Sequence, residues 1–262
     1  MPVATIAGAR VNYLDSGAAA PAVVFSHGNL MNAEMWAPQL DHLTGYRTIA
    51  WDARLQGRTE DDGSQYSYWR SAEDLLGLLE HLGIERATLV GHSQGGFVAQ
   101  RAALLAPERV SSLVLIDTTY TAWPEEALAQ MGQIRDLFTA AGPEAVAPIL
   151  LPMLLGREDL HPEWEAVWRT QSRERLAGAV NVLMSVDDLS ARIGEIAVPT
   201  LVIHGEEDQP VPLAAGQALA AALPGTQDLI TIPGVGHTPS LTHPDQVNGP
   251  LTAFLAHTVA VA

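Results

Sequence analysis

The chain contains no cysteine and no lysine. The first absence removes disulfides, thiolate catalysis and cysteine metal sites, and leaves the redox compartment open. The second leaves arginine as the whole basic complement: 14 residues against 30 acidic ones, a net charge of -16. Phosphate recognition needs clustered positive charge, so neither nucleic acid nor an anionic membrane surface is an expected partner. Long hydrophobic runs are scarce as well. The longest, residues 146–155, is interrupted by Pro148 and Pro152 and is too short to span a bilayer. The opening MPVATIAGARVNYLDSG lacks the basic-then-apolar pattern of a secretory leader, so the expected location is the cytoplasm. What remains is a composition of 47% hydrophobic and 17% charged residues over 262 positions, suited to one well-buried α/β domain. The acidic excess favours solubility and discourages anionic ligands unless arginines reverse the local field.

Short apolar runs alternate with helical patterns. AVVFSHG (22–28), RTIAWD (47–52), ATLVGHS (87–93), SSLVLID (111–117), TLVIHGEED (200–208) and DLITIPGVGH (228–237) read as strands buried on both faces. Helices are expected over 71–83, 95–108 and 213–225. The first opens on a capping box of Ser71 and Asp74 and stops at Gly83. This βαβ rhythm predicts a mostly parallel sheet with helices on both faces. Residues 5–13 are expected as an antiparallel hairpin on the sheet edge. The rhythm breaks over 118–197, a helical insertion carrying Trp123, Met131, Phe138, Met153, Leu154, Trp164, Trp168 and Met184. The core is therefore expected to comprise 1–117 and 198–262.

Gly91-His92-Ser93-Gln94-Gly95 matches the G-x-S-x-G pattern, and its place between a strand and a helix gives the match weight. Small residues around Ser93 suit a tight, strained turn that holds the hydroxyl out as a nucleophile. The competing reading is a plain glycine-rich turn. A serine hydroxyl needs a base, and the base needs an orienting acid. His237, in GVGHTPSL just past the last predicted strand, is the candidate base. His42, His81 and His257 fall in helical stretches and His161 in the insertion. His92 points away from the hydroxyl beside it, His27 braces its loop, and His243 helps start the last helix. Asp208 is the candidate acid, with Asp117 as its rival at the end of SLVLID and Glu206 or Glu207 if the turn is shorter. The order Ser93, Asp208, His237 agrees with a sheet that carries its nucleophile on such a turn. The oxyanion needs two backbone donors. Gln94 supplies one, and Asn29, with Leu30 as the alternate, supplies the other.

Together HGN, WDARLQGRTE, GHSQGG, PTLVIHGEEDQPVP and PGVGHTPSLTHPDQV make the chain resemble an α/β-hydrolase fold serine hydrolase. The likeness is to the esterase and 3-oxoadipate enol-lactonase-like branch. It implies a helical cap inserted after strand 6 and acyl transfer through an acyl-enzyme, with no cofactor and no metal. One loop departs from the family. Relatives carry Arg-Gly-His-Gly-x-Ser where this chain reads Arg54-Leu55-Gln56-Gly57-Arg58-Thr59. Leu30, Trp123 and Met153 are the candidate substrate-binding residues, though much of the insertion's apolar content serves packing. Arg169, Arg173 and Arg175 could hold a carboxylate substrate, but on a helix they read as a solvated face. The expected partner is a small neutral ester or lactone, with a homo-oligomer left open. The resemblance also admits cofactor-free perhydrolase or haloperoxidase activity, carbon–carbon bond hydrolysis, or a non-catalytic ligand receptor.

Overall fold

The computed structural model describes residues 1–63 and 66–259. Eight strands form one sheet: β1 (Val3–Ile6), β2 (Ala9–Asp15), β3 (Ala22–Ser26), β4 (Arg47–Trp51), β5 (Ala87–His92), β6 (Val110–Ile116), β7 (Thr200–Gly205) and β8 (Thr226–Ile232), in the order β1-β2-β4-β3-β5-β6-β7-β8. β1 and β2 pair antiparallel as the edge hairpin that 5–13 predicts, β2 runs antiparallel to β4, and every other pairing is parallel.

Alternate residues of the central strands feed two separate cores, and for that reason the strands read as unbroken apolar runs. Val24, Leu89 and Leu113 face one layer, built with Leu75 and Leu78 of α2 (Tyr68–His81) and Val98 and Ala102 of α3 (Gln94–Leu105). Val23, Val90 and Val114 face the other. There they meet Trp36 just before α1 (Ala37–His42) and Val247, Leu251 and Leu255 of the C-terminal helix. Between β6 and β7 lie α4 (Glu125–Ala141), α5 (Pro143–Leu155), α6 (His161–Arg169) and α7 (Arg173–Met184). After β7 come α8 (Leu213–Ala222), α9 (Pro239–Thr242) and α10 (Pro244–Val259). Among the described residues no helix is long and apolar enough to cross a membrane.

Two local expectations are corrected. The helix expected over 71–83 starts one turn earlier, where the Ser67 hydroxyl accepts from the Arg70 amide at 3.2 Å. Ser71 lies inside that helix, and Asp74 is spent on a buried ion pair with Arg54 at 2.6 Å. The strands also stop short of their predicted ends, at Ser26, His92, Gly205 and Ile232. The residues beyond these tips turn away from the sheet at the carboxyl ends of the parallel strands, where open α/β sheets place their ligands.

Candidate active site

β5 passes into α3 through a single residue, Ser93, held at φ +52° and ψ −117°. A non-glycine residue adopts such a backbone only when its surroundings over-determine it. Here the Ser93 amide donates to Ile116 O at 2.9 Å, and the Ser93 carbonyl accepts from Thr118 Oγ1 at 2.7 Å and Gly96 N at 2.9 Å. A β-carbon on Gly91 would strike the Gly95 carbonyl, and one on Gly95 would strike Ser26 O. The glycines are there because strand and helix approach too closely for side chains.

His237 follows β8 in a loop tied to the β7 loop by Glu207 N donating to Val235 O at 2.9 Å. Its Nδ1 donates to Asp208 Oδ2 at 2.8 Å, and the other carboxylate oxygen accepts from Val211 N at 2.9 Å. Asp208 therefore orients the ring, and Nδ1 carries the proton of the neutral tautomer. Glu206 and Glu207 are exposed, and Glu206 accepts from Thr231 Oγ1. Ser93 and His237 line one cavity of about 700 Å³, although no hydrogen bond joins them in this conformation. Catalytic contacts are commonly loose before substrate binds.

Asp117 is fully buried at φ +47° and accepts from Gly205 N at 2.8 Å. Burial first, and the neighbouring Asp208 charge second, push its carboxyl well above the usual aspartate range. Asp117, His204 and Asp208 bring one ligating atom each within 4.8 Å of one another. They do not suit a metal ion. His204 Nε2, the ring nitrogen near the carboxylates, donates to Val211 O at 2.8 Å and is thus the protonated one. Burial pushes the His204 imidazole below its ordinary value, so it stays neutral.

Asn29 lines the same cavity. Leu30 N, its alternate as an oxyanion donor, is already engaged with Gln56 Oε1 at 2.7 Å. Gln94 opens α3, where the first amides of a helix lack intrahelical partners. Leu30, Trp123 and Met153 all stand on the cavity wall, with Met131 and Leu154 beside them. Phe138, Trp164 and Trp168 do not line it and are buried in the packing instead. Among the described residues no arginine lines the cavity. Arg169 pairs with Glu144 and Glu165, Arg173 donates to Ala140 O, and Arg175 donates to Thr59 O and pairs with Asp61.

Two participants escaped the sequence reading. His92 is one: its Nε2 donates to the main-chain carbonyl of His237 at 2.5 Å. Gln56, in the loop that departs from the relatives, stands behind Leu30. That departure was its only signal.

This arrangement defines the class of protein. The chain belongs to the alpha/beta hydrolase fold family, whose model matches residues 21–244. It is 33% identical to "Putative carbamate hydrolase RutD" of Variovorax paradoxus (strain S110), over 91% of this chain and 93% of that protein. Among solved structures, the enol-lactonase of Burkholderia xenovorans LB400 superposes with a TM-score of 0.89 at 25% identity, covering 97% of this chain and all of the other (100%). A thermophilic esterase from Thermogutta terrifontis gives a TM-score of 0.86 at 26% identity, covering 95% and 94%.

Proposed function

We propose that the protein is a serine hydrolase that cleaves a neutral carboxylic ester or lactone through an acyl-enzyme on Ser93. The observation that carries the reading is the Asp208–His237 hydrogen bond at 2.8 Å, set on the cavity into which the strained Ser93 turn opens. His237 takes the hydroxyl proton as Ser93 Oγ attacks the carbonyl carbon, and the Asn29 and Gln94 amides hold the oxyanion. Collapse of the tetrahedral intermediate breaks the bond to the leaving alkoxide, which His237 protonates. His237 then deprotonates a water that attacks the acyl-enzyme and frees Ser93. Asp208 keeps the imidazole in the productive tautomer and stabilises its charged form.

The wall supports the reading of a neutral substrate. Among the described residues, Glu126 is the one ionisable side chain lining the cavity apart from His92 and His237, so a carboxylate-bearing substrate finds no arginine or lysine there. Residues 118–197 act as the cap of this site over a core of 1–117 and 198–262, and Trp123 and Met153 come from that segment. A carbamate, as in the name of the Variovorax relative, presents the same carbonyl to the same groups.

The test is a hydrolysis panel of p-nitrophenyl acetate, p-nitrophenyl butyrate, a lactone and an aryl carbamate, run with wild type and Ser93→Ala. Wild type should turn over at least one of them, and the variant should lose about 10⁴-fold or more in kcat. A folded Ser93→Ala protein with retained turnover moves the nucleophile elsewhere.

A further inference from the structure

The loop after β3 carries Asn29, one proposed oxyanion donor, and its next residue, Leu30, sits at φ +61°. That left-handed backbone is unfavourable for a residue with a β-carbon, so neighbouring groups must hold it. Both polar groups of the Leu30 main chain are held by side chains. Its amide donates to Gln56 Oε1 at 2.7 Å, and its carbonyl accepts from Trp168 Nε1 at 2.7 Å.

Gln56 does not stop there. Its Nε2 donates to Gln94 Oε1 at 3.1 Å, and that same oxygen accepts from Tyr68 OH at 3.2 Å. Gln56, Gln94, Tyr68 and Trp168 are all buried. The contacts fix the orientation of the Gln56 amide, because only its oxygen can accept from Leu30 and only its nitrogen can donate to Gln94. The turn that presents Gln56 is itself braced. Leu55 and Gly57 on either side are left-handed, at φ +62° and +52°, and Leu55 N donates to Asp61 Oδ2 at 2.7 Å. Asp52 at the end of β4 accepts from Ala33 N at 2.7 Å and from Arg58 N at 2.8 Å, anchoring both loops to one carboxylate.

One side chain thus spans the two segments that carry the oxyanion donors, Asn29 next to Leu30 and Gln94 itself, without lining the main cavity. The geometry points to Gln56 as a positioning residue of the oxyanion hole, setting the distance and angle between the Asn29 and Gln94 amides. This rests on the acyl-transfer reading of Ser93. Donors aimed at developing charge act in the transition state, so their misalignment lowers kcat and leaves substrate binding largely intact. A merely structural glutamine would lower thermal stability without that split.

The test compares wild type, Gln56→Met, Gln56→His and Ser93→Ala with p-nitrophenyl butyrate. Inhibition by a trifluoromethyl ketone, which forms an oxyanion on addition of a serine hydroxyl, is measured alongside. Removing one donor outright typically costs about 10²–10³ in kcat, so misaligning one in Gln56→Met should cost about 10–100-fold, with KM within about twofold. The ketone should lose affinity by the same factor. Gln56→His, whose ring offers one donor and one acceptor, should recover much of the loss. A folded Gln56→Met with wild-type kcat, or a loss confined to KM, overturns the inference while a dead Ser93→Ala leaves the nucleophile standing. Retained turnover in Ser93→Ala instead removes the reading underneath. If Gln56→Met fails to fold, Gln94→Met breaks the other half of the bridge and carries the same test: a fall in kcat with KM held supports it, and unchanged kcat overturns it.

Discussion

His92 Nε2 donates to the main-chain carbonyl of His237 at 2.5 Å, and the two rings lie 4.9 Å apart. The residue before the proposed nucleophile therefore clamps the loop that carries the proposed base. Because a carbonyl only accepts, the His92 proton resides on Nε2, and its bare Nδ1 turns toward Gly28. His92→Phe keeps the ring and removes the donor. Its kcat should fall about tenfold through a displaced His237, given how steeply rate depends on catalytic geometry. His92→Gln, which can still donate, should fall less. Equal kcat for His92→Phe and wild type on p-nitrophenyl butyrate would remove the clamp from the account.

Burial, and then the neighbouring His237, depress the His92 pKa to about 3 from its ordinary value of 6.5. Burial also lowers the pKa of His27 and His204. For each, the unfolded chain binds a proton more readily than the folded one. The stability they contribute is fully present above about pH 6.5 and is lost as pH falls below it. The thermal midpoint should decline from pH 7 toward pH 4.5, and His92→Gln should flatten part of that decline. Parallel curves for variant and wild type would show that His92 titrates alike in both states.

Asp117 has the opposite sign. Its folded pKa lies above the ordinary 3.8, so the stability it contributes is present at low pH and is lost as pH rises from about 4. Asp117→Asn keeps an acceptor for the Gly205 amide and removes the titration. Its thermal midpoint should exceed that of wild type by a margin that grows between pH 4 and pH 8. A margin that shrinks over this range would contradict the assignment.

The same two carboxylates separate in catalysis. Asp208→Asn should lower kcat by up to about 10⁴-fold through the wrong histidine tautomer. Asp117→Asn should change it far less. A near-normal Asp208→Asn beside an inactive Asp117→Asn would transfer the acid role to Asp117.

The sequence made the central strands legible because residues such as Val23 and Val24 each enter a core, so β3 shows no polar face. Ser93 stood out because its glycines answer a steric demand made within a few residues. Partners joined only by folding stayed hidden. Asp74 looked like half of a capping box because Arg54, its ion-pair partner, lies twenty residues away. The expected strands also run too far into the turns: Glu206 to Asp208 and Pro233 to His237 carry the acidic, proline and glycine residues of loops, and the backbone leaves the sheet there. In the insertion, composition alone could not separate Met153 on the cavity wall from Trp164 in the packing, since both are apolar residues on helices.

A wall without arginine should show in substrate choice. A neutral p-nitrophenyl butyrate should be cleaved with at least about tenfold higher kcat/KM than the p-nitrophenyl monoester of succinate, because burying an unpaired carboxylate is costly. Equal or reversed preference would mean that a positive group reaches the bound substrate.

The most direct measurement is peptide mapping by mass spectrometry after reaction with a fluorophosphonate. One adduct per chain, located on Ser93 and absent from a folded Ser93→Ala variant, is the predicted result. Stoichiometric labelling at any other residue, or undiminished labelling of the variant, would contradict it.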